Sequence, residues 1–158
     1  MKVNVKEIVI IALSAALMVV AGYFLYFLST FLPLPGSKFI IMAAFMSFTI
    51  TVIMFMLQRR WVITLFSFVF AVIMGFISIV ISLAIFLTGL LTDITSLFIL
   101  KNYNDKKKVM FTVAFYPFYS FLLALLVTNY ISGNSILSVG GILPFFVIEI
   151  IIYGLGLL

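Results

Sequence analysis

Asp93 and Glu149 are the two carboxylates that fall inside long apolar stretches of this chain, and they are the side chains best placed to do chemistry. Two other acids exist, Glu7 and Asp105, both near basic residues. There is no His and no Cys. The commonest general base and metal ligand is therefore missing, as are thiolate nucleophiles, thiolate metal sites and disulfides. Hydrolase, zinc and two-metal mechanisms have no residues to run on, so the expectation is a protein that is not an enzyme and holds no metal or cofactor. What a carboxyl at membrane depth can still do is recognise. Placing an anion at the bilayer centre costs at least about 2.5–3.5 kcal/mol on insertion scales, so each acid must face protein or water. It is then either a contact to a substrate or ion, or a hydrogen bond between helices. Glu149 falls close to mid-membrane in the last apolar segment, on a helical face with Phe145, Phe146 and Tyr153. Asp93 shares a face with Ser82, Phe86, Gly89 and Ser96.

The elements that carry these groups follow from composition. Hydrophobic residues make up 66% of the 158 and charged residues 8%. A water-facing surface carries roughly 25–35% charged residues, so lipid must be the main solvent. The expected fold class is all-α, a single polytopic membrane domain of six transmembrane helices at about 7–28, 39–57, 62–79, 82–100, 109–130 and 139–158. The first segment follows Lys2 and Lys6 like a signal peptide, but its apolar run is long and no A-x-A site closes it, which favours a retained helix. The stretch from Trp61 to Leu100 carries no charge before Asp93. As one helix it would measure about 60 Å, twice a hydrocarbon core of about 30 Å. It must fold back, near Ser78–Ser82.

Charge fixes the sides. With both termini in the cytoplasm, Lys2, Lys6, Arg59, Arg60, Lys101, Lys106, Lys107 and Lys108 all lie inside, and Lys38 alone lies outside. That is the positive-inside pattern. It accounts for the net charge of +5 without nucleic acid. The location expected is a prokaryotic cytoplasmic membrane.

Other candidates belong to the outer end or to helix one. Lys38 follows Pro33-Leu34-Pro35-Gly36-Ser37; it meets an anionic ligand group or is a snorkelling interface lysine. Asn129, Tyr130 and Asn134, with Ser132 and Ser135, either line a ligand pocket or cap helices in water. Pro117 should kink the fifth segment. Ala12 and Ala16, with Ala15 beside them, place small residues where a second helix can approach closely. They serve packing within the bundle or docking of a partner.

The run Val5-Lys6-Glu7-Ile8 leading into Ala12-x-x-x-Ala16, the Leu32-Pro33-Leu34-Pro35-Gly36 loop and Gly89-Leu90-Leu91-Thr92-Asp93 before the Lys-rich loop resemble one family. It is the substrate-binding S components of energy-coupling factor transporters, the vitamin-uptake ABC systems. The resemblance implies a subunit that captures a vitamin or related small molecule near the outer face. Its pocket would be built from helices four to six and the outer loops, with Glu149, Lys38, Asn129, Tyr130, Asn134, Phe145 and Phe86 as substrate contacts. It implies docking through Ala12, Ala15 and Ala16 on a transmembrane coupling subunit, joined by two cytoplasmic ATPase subunits. The chain itself has no G-x-x-x-x-G-K-[ST] phosphate loop. The competing class is a six-helix structural scaffold of the cell-shape or envelope machinery, which would have no ligand pocket.

Overall fold

A computed structural model describes residues 4–31, 37–99, 106–127 and 143–157. The side chains at 37–40, 143–146 and 155 lie outside that description. The described residues are helical throughout apart from short turns, with no strand. The helices are α1 Val5–Ser29, α2 Ser37–Leu57, α3 Val62–Gly75, α4 Ile79–Ile99, α5 Lys106–Val113, α6 Phe115–Leu126 and α7 Leu143–Gly156. Among the described residues each of the six expected segments is largely helical, and α5 with α6 makes up the fifth. Val5–Ser29, Ile79–Ile99 and Lys106–Leu126 are long and apolar enough to cross a membrane.

Pro117 explains the α5–α6 break. It has no N–H to give the Val113 carbonyl, and its ring crowds that same group. Ala114 keeps right-handed helical angles of φ −59° and ψ −21°, so the rod bends without stopping. Lys106, Lys107 and Lys108, expected in an aqueous loop, instead form the exposed first turn of α5.

The fold-back is present, and it comes earlier than expected. α3 ends at Gly75 and α4 starts at Ile79, not at 79 and 82. Fourteen residues make a helix about 21 Å long, less than a hydrocarbon core. The turn is closed by the Ile77 and Ser78 N–H groups donating to the Met74 carbonyl, both at 3.0 Å. Small residues let the two arms touch. Ser82 Oγ donates to the Ala71 carbonyl at 2.7 Å. A Cβ on Gly89 would sit 2.2 Å from Ser67 Oγ, which only a hydrogen can tolerate. Among membrane helices close packing of this kind does the work that water does in soluble cores.

The largest core joins Ile11, Ala15 and Met18 of α1 to Ile50, Ile53 and Met54 of α2 and to Phe66 and Phe70 of α3. Ser67 Oγ donates to the buried Tyr116 hydroxyl at 3.2 Å, tying α3 to α6. Apart from Lys38 in the first turn of α2, the described basic residues gather at one end. Arg59, in the α2–α3 turn, reaches Glu7 at 3.0 Å, and Glu7 also accepts the Asn4 N–H that opens α1. Large apolar side chains such as Val5, Leu13, Val20, Phe48, Phe76 and Ile150 cover the outside, as expected of a surface solvated by lipid.

Candidate functional site

The two membrane-depth carboxyls have different environments. Asp93 Oδ2 accepts both the backbone N–H of Thr64 at 2.6 Å and the Thr64 hydroxyl at 2.6 Å. Thr64 is the third residue of α3, so its N–H is one that the helix cannot satisfy internally. Asp93 therefore caps α3 from across the hairpin, with its oxygen on the positive end of the helix dipole. It is a hydrogen bond between helices, the second of the two roles open to it. Thr88, Thr92 and Ser96 line the same buried side of α4, and the two threonine hydroxyls donate back along the helix to Ala84 and Thr88 carbonyls.

Glu149 is buried, and its Oε1 has no hydrogen-bond partner among the described residues. An orphaned buried acceptor costs roughly 1–3 kcal/mol. It sits one turn before Ile152 on α7. Its neighbour Ile148 packs, as does Leu125 of α6, on the cluster of Ala43, Phe121 and Ile152. One turn further along α7, Tyr153 packs edge-on against Phe115 at 5.2 Å and Phe111 at 5.9 Å.

Beside Ile152 is an apolar cavity of about 370 Å³, floored by Met42, Ala43 and Met46 of α2. Tyr26 of α1 and Pro117, Ser120 and Phe121 of α6 close its sides. Its volume is in the range of small-molecule sites. Its polar lining is limited to the Tyr26 and Ser120 side chains and backbone, so it suits an apolar guest. A second apolar hollow of about 310 Å³ shares Tyr26 and Met42 with the first and continues to Gly22, Phe70, Met74 and Ile81.

The expected site residues are only partly gathered here. Glu149 is one turn from the inner cavity. Phe86 lines neither hollow; it is half-buried and meets Phe68 edge-on at 6.1 Å on the α3–α4 hairpin. Lys38 and Phe145 lie in α2 and α7, with side chains outside the description, and Asn129, Tyr130 and Asn134 lie outside the described residues. The inner cavity is framed by α6 and α7, which belong to the fifth and sixth expected segments, together with α1 and α2, which were not expected there. α4 reaches only the outer hollow, through Ile81.

The three alanines of α1 divide. Ala12 and Ala16 are exposed, while Ala15 is fully buried in the core. Ala15 therefore cannot touch a partner, because α2 and α3 already cover it. Tyr26, Met42, Met46 and Ser120 were missed from sequence. Met42 and Met46 are one turn apart on one face of α2, and Ser120 follows Pro117 by one turn. That spacing was readable, but nothing local says which face looks onto a void.

No family model, curated protein or solved structure matches this chain.

Proposed function

We propose that this protein is a membrane-embedded substrate-capture subunit of an energy-coupling-factor type importer, which binds a small molecule at the end opposite its basic residues. The observation that carries the reading is the inner cavity, with the unpartnered Glu149 carboxyl one turn above it. A scaffold gains nothing from a hollow of ligand size beside a buried acceptor lacking a donor. A bound molecule with a hydrogen-bond donor or positive group would supply what Glu149 lacks, while its apolar body fills the space.

The uncovered face of α1 supports the second half of the reading. Ala12 and Ala16 lie on it among the exposed Ile8, Val9, Leu13 and Leu17. Two small residues one turn apart form a shallow groove into which a second transmembrane helix fits. In this proposal the coupling subunit docks there, two ATPase subunits act from the cytoplasm, and six crossings put both termini inside. ATP hydrolysis belongs to those partners, so this chain works by binding alone.

The decisive experiment is gentle purification from native membranes followed by native mass spectrometry. The expected result is a retained small molecule and copurifying ATPases. Protein that is reproducibly empty and without ATPases favours the scaffold class.

A further inference from the structure

The two hollows meet at Tyr26 and Met42, and the outer one opens on the lipid side of the bundle. Its rim residues Tyr23, Tyr26 and Ile81 are 54%, 49% and 47% exposed. The opening exists because α3 stops early. From Trp61 to Phe76 the hairpin rises about 22 Å, whereas α1 runs on for about 37 Å, so among the described residues α1 continues past the α3 tip with none filling the space beyond Met74. The tip is itself apolar: Phe76 is 91% exposed and Ile79 is 82% exposed. Neither suits water, so the tip and the mouth beside it sit within hydrocarbon, in the leaflet away from the basic end.

We infer that the outer hollow is a lateral portal, through which an elongated apolar molecule with one hydrogen-bonding head enters the inner cavity from the bilayer. The inference rests on the binding-subunit reading and names its substrate class. Three observations support it. The two hollows adjoin at the shared walls of Tyr26 and Met42, and their lining is apolar from Ile81 to Ile152 apart from tyrosine and serine side chains and backbone. The side chain at the junction, Met42, is unbranched and easily moved. The space beyond the junction is bounded by Ser120 and ends one turn from the unpartnered Glu149, so the carboxyl near this route lies at its inner end. A water-borne, highly charged substrate would find no complementary group along this route.

The test uses the full chain in phosphatidylcholine vesicles. The probe is a sixteen-carbon fatty acid carrying a diazirine and an alkyne, dissolved in the membrane. After illumination, labelled residues are mapped by mass spectrometry. Wild-type protein is expected to label at Met74 and Ile81 and also at Met42, Met46 and Ser120. Met74→Trp, which fills the portal, should lower labelling of the inner three about tenfold, as overpacking of an apolar space implies. Ser120→Phe should remove labelling at Met46 and leave Met74, Ile81 and the junction residue Met42 labelled. If Met74→Trp does not fold, Ile81→Trp on the exposed rim carries the same expectation. Inner labelling that persists in the folded portal variant overturns the lateral route. So does labelling confined to the lipid-facing side of α1, which is the pattern of bulk lipid contact alone. Failure of the transporter reading is separate: ATPases then fail to copurify although the inner cavity still takes the probe.

Discussion

The Asp93–Thr64 contact gives the sharpest test of the fold. Asp93→Ala removes the acceptor for two donors at once. The Thr64 N–H at the start of α3 loses its partner, and an orphaned donor in a half-buried site costs about 1–2 kcal/mol. Loss of the carboxyl oxygen from the helix N-terminus adds about 0.3–1 kcal/mol. The Thr64 hydroxyl loses an interhelical bond, worth about 0.6 kcal/mol on average in membrane bundles, although it can turn to the Gly89 carbonyl at 3.4 Å. Together these predict a loss of roughly 2–4 kcal/mol. Asp93→Asn keeps an oxygen acceptor and should lose about half as much. Thr64→Val keeps the backbone N–H and should lose about 0.6 kcal/mol. The measurement is unfolding in mixed micelles titrated with a denaturing detergent, with amide exchange followed at Thr64. If Asp93→Ala leaves both stability and Thr64 exchange unchanged yet abolishes ligand binding, the cap assignment is wrong and Asp93 belongs to the substrate.

Gly89→Ala should destabilise by about 1–3 kcal/mol, because its Cβ would fall 2.3 Å from Ser67 Cβ. Gly154→Ala, with open space at the same position, should be neutral or stabilising by up to about 1 kcal/mol, and comparing their unfolding midpoints checks both. Ala12→Trp and Ala16→Trp should fold and bind ligand but fail to copurify with a coupling subunit, whereas Ala15→Trp should not fold. Normal copurification of the first two would sink the docking face. Glu149→Ala should weaken ligand binding and leave unfolding unchanged or improved, since the carboxyl makes no bond for the fold to lose; unaltered affinity in a binding titration would return Glu149 to a purely structural place.

Much of the architecture was legible because it depends on quantities a sequence carries directly. Apolar run lengths set the helices, and the uncharged stretch from Trp61 to Asp93 was too long for one crossing and had to turn back. Pro117 announced the bend before α6, since a missing N–H acts locally. Glu149 was identifiable as unusual for the same reason: a carboxyl among Phe and Ile is costly wherever it points.

Contacts between distant residues were not legible. Asp93 could have served a ligand or a neighbouring helix. Only the tertiary structure sets it against the first turn of α3, because that pairing depends on how closely Gly89 and Ser67 allow the hairpin arms to approach. Phe86 shared a sequence pattern with pocket residues yet faces the hairpin surface, and Ala15 faces the core while Ala12 and Ala16 do not. One helical face differs from the next only through what packs on it. The cavity shows this most clearly. A void belongs to no residue; it arises where α1, α2, α6 and α7 fail to meet, and the early end of α3 opens it sideways. The sequence determined that this protein is helical, apolar and charged at one end, since those properties sum over residues. The structure decided which carboxyl is satisfied, which is not, and where a guest would fit.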